Sequence, residues 1–305
     1  MIRSKKIKKP HGLAREKAIA GYICALPWIV GFLTFILYPT IASLYYSFTY
    51  YDGINPPTWI GLFNYRKMFT DESYYFTKTL SNTLFMLIFD VPICLAVGLI
   101  LAVILNQKVK GLSFYRTALY IPCIVPLVAN SMLWMWILDS RNGILNGTLR
   151  ILFGIEGPAW LGSPAWSKPA LILMDAWQTG NIMLIFLAGL QGIPQQYYEA
   201  AEIDGAGSFY KFTRITLPLL TPTIFFNLVM GCINVMQIFV RAYIMTNGGP
   251  QDSTLFYVLY LYRNAFSYFQ MGYASSLAWI LFLIILTLTL IQVFLSRRWV
   301  HYEIV

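Results

Sequence analysis

The segment of the chain that decides its fold runs from Gly192 to Gly207 and reads GIPQQYYEAAEIDGAG. Pro194 is suited to the start of a helix, because the first helical positions do not need a backbone N–H donor. Asp204-Gly205 is a strong turn signal that ends this helix, and a second, amphipathic helix follows it. The small residues Ala200 and Ala201 permit close approach of another surface. We therefore predict a helix–turn–helix whose apolar and acidic faces are available to a partner.

On both sides of this segment the chain is too apolar for a water-soluble fold. Of its 305 residues, 58% are apolar and only 11% are charged, against about 25% charged residues in soluble domains. A membrane-spanning helix needs about 20 mostly apolar residues, and six stretches meet that requirement. They are approximately Ile19–Tyr45, Thr83–Leu105, Ala118–Leu138, Ala170–Leu190, Leu217–Met245 and Ala274–Leu295. We predict an all-α integral membrane protein with six transmembrane helices.

The basic residues predict how these spans are oriented. Fourteen Lys and Arg residues lie in the two tails and in the second and fourth connections, against seven in the other connections. Positively charged loops stay in the cytoplasm, so both termini and the segment 192–217 are predicted to be cytoplasmic. The net charge of +9 is therefore explained by the orientation of the spans in the membrane, and nucleic acid is not an expected partner. The chain divides into a basic N-terminal tail (1–18), a six-span domain (19–297) and a C-terminal tail (298–305).

Prolines are expected to kink the first three spans, because proline removes a backbone hydrogen bond from a helix. They are Pro27 and Pro39 in the first span, Pro92 in the second, and Pro122 and Pro126 in the third. This pattern suits a bundle around a transport pathway, although bent helices also occur in purely structural bundles. Between the third and fourth spans, Asn146–Ile155 is predicted to form a short interfacial helix.

The sequence lacks the residues that most metal sites and intramembrane enzymes require. The only histidines, His11 and His301, lie in the tails, and the four cysteines are far apart within apolar runs. We therefore expect no catalytic residue and no metal ligand. The chain also has no G-x-x-x-x-G-K-[ST] loop for binding phosphates. An ion-coupled secondary transporter remains an alternative, although such proteins usually carry an internal repeat, and we find none.

Polar side chains inside the spans are the candidates for a solute pathway, because they are costly in lipid and usually face a cavity or a partner. The predicted pathway residues are Asp175, Trp177, Gln178 and Asn181 on the fourth span and Asn227, Asn234, Gln237 and Arg241 on the fifth. The four on the fifth span are spaced to share one helical face. Amides, charged groups and an aromatic ring suit a sugar. The alternative is that these groups join helices, with Asp175 and Arg241 as an ion pair; Asp90 is assigned a structural role.

Several motifs at fixed spacing carry a family resemblance. In the segment 192–217 they are Glu199-Ala200-Ala201, Asp204-Gly205-Ala206, Phe212, Ile215, Leu217 and Pro218. Elsewhere they are Tyr38-Pro39, Leu190–Pro194, Thr246–Pro250 and Gly272-Tyr273-Ala274. The first set resembles the E-A-A loop of ATP-binding-cassette importer permeases. The second set is similar to the sugar-transporter subfamily, and its glycine–glycine–proline element to the maltose-type first permease subunit.

The resemblance implies a type I importer permease fold and an importer that is assembled from several subunits. The two E-A-A loop triplets would form a coupling helix in a cleft of a separate cytoplasmic ATPase, with Glu199 paired to a basic residue and Gly205 allowing the turn. Further expected partners are a second homologous permease, a second ATPase subunit, an extracytoplasmic solute-binding protein and membrane lipid.

In this scheme the chain is not an enzyme and binds no cofactor, since ATP and magnesium belong to the ATPase. It would lie in a bacterial-type plasma membrane. Its solute would be a sugar or oligosaccharide, with a polyol or a glycerol phosphate as the alternative.

Overall fold

The computed structural model describes residues 11–107 and 110–301, without the side chains of residues 11–14. The predicted basic tail up to residue 10, Lys108 and residues 302–305 therefore lie outside the described residues. In the part that is described, helices dominate, and a two-stranded antiparallel hairpin is the sheet structure.

The first third of the chain contains two spans and the connection between them. Its elements are α1 (His11–Phe32), a π-helical segment (Leu33–Leu37), α2 (Tyr38–Ser47), β1 (Thr49–Tyr50), β2 (Thr58–Trp59), α3 (Phe63–Phe69) and α4 (Ser73–Leu105). The hairpin pairs Thr49 with Trp59 and Tyr50 with Thr58. The described helix of the first span thus begins eight residues before the predicted span.

The middle third is built from shorter helices. They are α5 (Leu112–Ile124), α6 (Leu127–Ile137), α7 (Ile144–Phe153), α8 (Ser167–Trp177) and α9 (Gly180–Gln191). The short helix predicted near residues 146–155 is confirmed as α7, which begins two residues earlier.

The last third holds the predicted helix–turn–helix and the remaining spans. Its elements are α10 (Gln195–Ile203), α11 (Ser208–Lys211), a second π-helical segment (Phe212–Thr216), α12 (Leu217–Leu219), α13 (Thr221–Met236), α14 (Val240–Met245), α15 (Tyr257–Tyr262), a third π-helical segment (Arg263–Ser267) and α16 (Met271–Ser296). The peptide bond between Gly249 and Pro250, in the loop after α14, is cis.

Six spans are present if a bent pair of helices is counted as one span. In the described residues, Arg15–Ser47, Ser73–Leu105 and Met271–Ser296 are each long and apolar enough to cross a membrane. Three further spans are bent pairs: α5 with α6 at 98°, α8 with α9 at 46°, and Ser208–Leu219 with α13 at 63°. The predicted all-α, six-span architecture is confirmed in this sense.

The predicted boundaries of the fifth span are wrong. A single helix was expected over Leu217–Met245, but α13 ends at Met236 and α14 is a separate short helix. Phe239, which precedes α14, has φ −137° and ψ −65° and so leaves the helical conformation. No proline or glycine occupies residues 237–240, so the sequence carries no local signal for this break.

The prolines differ in whether the helix is interrupted beside them. α4 continues as one helix through Pro92, and α5 continues through Pro122. The third span breaks instead at Val125, which is extended with ψ 127°, because a residue that precedes proline avoids the helical conformation. Pro92 therefore does not interrupt the second span, and the interruption of the third span belongs to Pro126.

The bundle exposes large apolar side chains on its surface and buries polar side chains within a largely apolar core. α4 lies at its centre and packs against α8, α9, α13 and α15. Buried polar residues such as Asn82, Asp90 and Asn130 lie in the interior, whereas large apolar side chains such as Phe35 and Trp136 are exposed. This arrangement brings polar residues of the second, fourth and fifth spans to one place.

Candidate functional site

A cavity of about 240 Å³ opens among α4, α8, α9, α13 and α14, within the apolar part of the bundle. Six of the eight predicted pathway residues line it: Asp175, Gln178, Asn181, Asn227, Asn234 and Arg241. Its remaining wall is largely aliphatic, with Val91, Leu95, Ile182 and Val235. The cavity therefore combines hydrogen-bonding groups with apolar surface.

An ion pair between Arg241 and Asp175 joins α14 to α8 at this cavity. Arg241 Nη1 donates to Asp175 Oδ1, and both side chains are largely buried. Asp175 Oδ2 and Arg241 Nε are buried without a hydrogen-bond partner among the described residues. The ion pair that the sequence left as an alternative is therefore formed, and each partner has one buried polar atom that this bond does not satisfy.

Two of the lining amides are already engaged with the backbone. Asn227 Nδ2 donates to the carbonyl of Thr223 on its own helix, at 3.1 Å. Gln178 Nε2 donates to the carbonyl of Pro122, also at 3.1 Å, and the thiol of Cys123 donates to the Gln178 carbonyl. Gln178 thus supports the third span beside the break at Val125, in addition to lining the cavity.

Asn181 and Asn234 are the amides that stay available. Both side chains line the cavity and are exposed, and neither makes a hydrogen bond to another described residue. A primary amide both donates and accepts, so each can bind a hydroxyl group of a solute.

Trp177 and Gln237, which were predicted to belong to the same set, lie outside the cavity lining. The Trp177 ring packs edge-on against Trp134, with ring centroids 5.8 Å apart. Gln237 follows the last residue of α13 and is exposed. The expected single face of the fifth span is therefore wrong at Gln237, because the helix ends before that residue.

Asp90 of α4 is a cavity residue that the sequence interpretation missed. It is 3% exposed, lines the cavity, and accepts a hydrogen bond of 3.4 Å from the Cys94 thiol. Two carboxyl groups thus share the cavity with one guanidinium group. The signal was present, since an ionisable residue inside a span indicates a functional site by default.

The helix–turn–helix that follows the fourth span has the predicted form. Pro194 precedes α10, and α10 ends at Ile203, where Asp204-Gly205 makes the turn with φ +78° at Gly205. Only glycine adopts this left-handed conformation at little cost. The backbone N–H of Ala206 closes the turn on the Ala201 carbonyl at 2.8 Å.

The acidic residues of this loop differ in what they contact. Glu202 forms a 2.7 Å ion pair with Lys211 of α11, and this hydrogen bond lowers the pKa of the Glu202 carboxyl. Tyr198 and Thr216 join the two arms through their hydroxyl groups at 2.9 Å. Glu199 is exposed and forms no ion pair with any residue of the described ranges. Glu202 is therefore paired within the loop, whereas Glu199 is free for a partner.

The outer surface of the loop carries large exposed apolar side chains, although the loop lies between membrane spans. Ile203 is 87% exposed and Phe209 is 81% exposed, and Tyr210 is exposed beside them. Exposed apolar side chains that adjoin an unpaired carboxylate are typical of a surface that a partner covers.

Comparison with known proteins identifies relatives over the whole length of the chain. Residues 94–301 match the family model described as "Binding-protein-dependent transport system inner membrane component". The chain is 45% identical over 97% of its length to a Bacillus subtilis protein named "Probable ABC transporter permease protein YesP", and it covers 96% of that protein. It is 33% identical to the lactose transport system permease protein LacF of Rhizobium radiobacter, over 94% of this chain and 97% of that one.

A solved structure shows the same fold. A bacterial ABC transporter involved in the import of the acidic polysaccharide alginate contains a chain with a TM-score of 0.79 and 25% sequence identity. The match covers 93% of this chain and 96% of that chain. The type I importer permease fold is therefore confirmed.

Proposed function

The chain belongs to the family of binding-protein-dependent transport system inner membrane components, and we propose that it is the permease subunit of an ATP-driven importer for a sugar or oligosaccharide. In this role it supplies half of the translocation pathway. A second, homologous permease supplies the other half, two ATPase subunits supply the energy, and an extracytoplasmic binding protein delivers the solute.

The observation that carries the proposal is the polar cavity within the apolar bundle. A sugar presents many hydroxyl groups, and the cavity offers two carboxyl groups and two unengaged amides to accept and donate hydrogen bonds. Its aliphatic wall faces the apolar C–H surface of the sugar ring. At about 240 Å³ it lies at the small end of ligand pockets, so it suits one sugar unit at a time.

The names of several relatives support the solute class. Proteins 33%, 32% and 32% identical to this chain are named as permeases of lactose, trehalose/maltose and arabinooligosaccharide transport systems. A glycerol phosphate fits less well, because the one guanidinium group in the cavity is paired with Asp175 and a second carboxyl group, Asp90, lies nearby.

We propose that the loop 192–217 transmits the ATPase cycle to the spans. Glu199 would pair with a basic residue of the ATPase, while Ile203 and Phe209 would be buried in its cleft. Gly205, with φ +78°, allows the turn between the two arms, and the hydrogen bond between Tyr198 and Thr216 links them. Both termini and this loop would then lie in the cytoplasm.

Reconstitution of the importer tests the proposal. The chain would be purified with its co-encoded permease, ATPase and binding protein, and placed in liposomes that contain ATP. Uptake of radiolabelled lactose, trehalose, maltotriose and arabinotriose would be measured, with glycerol 3-phosphate as the comparison. We expect ATP-dependent uptake of at least one saccharide. Uptake of glycerol phosphate alone, or saccharide uptake that proceeds without the ATPase, would contradict the proposal.

A further inference from the structure

A second cavity, of about 380 Å³, is lined by residues within 49–71 and 268–273. By the order of the spans these residues lie on the side of the membrane opposite the loop 192–217. The cavity is formed between the connection of the first two spans and the segment that leads into α16. Unlike the cavity within the bundle, it is lined by aromatic rings. Four of them are largely exposed: Tyr50, Phe63, Tyr268 and Phe269.

Polar groups occupy the same walls. Lys67, Asp71 and Gln270 line the cavity, and the carboxylate of Asp71 makes no ion pair or hydrogen bond with a residue of the described ranges. Flat aromatic faces with a few convergent polar groups are typical of a site for a small polar ligand that has an apolar face. A sugar ring has this character, since its C–H face packs on aromatic rings while its hydroxyl groups bind carboxylates and amides.

The walls are held in place by contacts between distant parts of the chain. Lys67 Nζ donates to Gln270 Oε1 at 2.8 Å and lies 4.7 Å from the centre of the Tyr273 ring. Asn64 donates to the carbonyls of Ser47 and Thr49 at 3.0 and 2.9 Å. These bonds connect α3 to the end of the first span and to the start of the last. The cavity is therefore formed before any ligand arrives.

The backbone at Phe269 points to the same conclusion. Phe269 has φ +52°, a left-handed conformation that is a genuine outlier for a bulky side chain. Strain of this kind persists only where the surrounding structure over-determines it, and it concentrates at ligand sites. Here it places an exposed aromatic ring at the cavity.

We propose that this cavity is a second saccharide site, which holds a sugar unit before it enters the bundle. The proposal rests on the proposed function, because it presumes a saccharide solute. Stacking on Phe63 and Phe269 would hold the ring, and Asp71 would accept hydrogen bonds from its hydroxyl groups. The aromatic contacts that the inner cavity lacks would thus be made at the entrance.

The test uses the assembled importer without its binding protein. Saturation-transfer NMR would detect lactose, trehalose, maltotriose and arabinotriose on the purified complex. The variants Phe63→Ala and Phe269→Gly remove one ring each, and Phe269→Gly also removes the backbone strain, so loss of folding is not expected. The matched controls are Phe69→Ala on the same helix as Phe63, and Phe266→Ala, because both rings are similarly exposed but lie outside the cavity.

We expect at least one saccharide to bind, and each cavity variant to weaken that binding about tenfold, as the loss of a well-packed aromatic contact predicts. The two controls should bind saccharide as the unaltered complex does. The proposal is overturned if no saccharide binds, or if the cavity variants bind saccharide as tightly as the unaltered complex does. In each of these cases saccharide uptake by the full importer would leave the proposed function standing.

Discussion

At the scale of single residues, the main feature is the group of charged side chains inside the membrane. Asp90 of α4 and Asp175 of α8 share a cavity with Arg241 of α14. Charged groups buried in a low dielectric are stable only when they are paired, and here two acidic groups face one basic group. The charges are therefore unbalanced. If Asp175 is lost, Asp90 remains near Arg241, but if Arg241 is lost, no other cation among the described residues lines the cavity.

This asymmetry predicts unequal effects of breaking the ion pair. Arg241→Leu leaves two carboxyl groups without a cation and should destabilise the bundle by about 3–5 kcal/mol, the typical cost of removing one partner of a buried pair. Asp175→Asn should cost clearly less, since Asp90 remains in the same cavity. The measurement is thermal unfolding of the purified permease in detergent. Adding Asp175→Asn to Arg241→Leu should recover part of the loss, and equal effects of the two single variants would show that Asp90 does not interact with Arg241.

A second prediction for single residues distinguishes side chains that line the solute pathway from side chains that only pack between helices. Asn234→Leu should reduce saccharide uptake severalfold, because an unengaged amide of the cavity is lost, while the complex with the ATPase stays assembled. Gln237→Leu is the matched control on the same span, since Gln237 is exposed outside the cavity. Uptake by reconstituted complexes is the measurement. If the two variants transport equally well, Asn234 is not a pathway residue.

At the scale of the elements, the spans that bend were partly predictable. Pro126 explains the break in the third span through its effect on Val125, and a proline of this kind can be read from the sequence. The breaks after Trp177 and Met236 contain no proline, and tertiary packing decides them. Six of the eight predicted pathway residues nevertheless meet at one cavity. They do so because polar residues in lipid must face inward whatever the local bend.

Gly180, the first residue of α9, shows how closely these elements pack. A Cβ atom at this position would lie 2.8 Å from Cys123 Sγ and 2.9 Å from the Leu119 carbonyl oxygen of α5. Gly180→Ala should therefore push α9 away from α5 and lower the free energy of unfolding by about 1–3 kcal/mol, as overpacking does.

Gly147 of α7 is the control for this prediction, because a Cβ atom there would meet nothing within 4 Å. Gly147→Ala should be neutral or stabilising by up to about 1 kcal/mol, since alanine favours helices. Chemical denaturation of both variants makes the comparison. If Gly180→Ala is as stable as Gly147→Ala, the contact between α5 and α9 is not tight.

At the scale of the whole molecule, the placement of positive charge predicts the orientation in the membrane. Two isoleucines of similar exposure test it: Ile203 in the loop 192–217 is 87% exposed, and Ile54 in the first connection is 82% exposed. In a variant without the four native cysteines, Ile54→Cys should react with a membrane-impermeant maleimide on intact cells. Ile203→Cys should react only after the membrane is opened. The reverse pattern would place both termini outside.

The loop 192–217 was the part of the molecule that could be predicted in most detail. Its helix, its turn at Gly205 and its exposed acidic residues follow from local chemistry, which does not depend on distant packing. The different states of Glu199 and Glu202 could not be predicted, because they depend on where Lys211 of α11 lies. That difference supplies a control for the coupling role.

Glu199→Lys replaces an unpaired carboxylate of the loop by a cation. If Glu199 pairs with a basic residue of the ATPase, the contact becomes repulsive and the ATPase should dissociate more readily. Glu202→Lys changes the charge by the same amount on the same helix, but it breaks only the exposed pair with Lys211, which is worth little. Co-purification of the ATPase and saccharide-stimulated ATP hydrolysis are the measurements, with membrane content as the check on folding. We expect Glu199→Lys to accumulate in the membrane normally but to lose ATPase co-purification and saccharide-stimulated ATP hydrolysis. Glu202→Lys should retain most of both. Equal retention by the two variants would assign Glu199 to the solvated surface and remove it from the coupling contact.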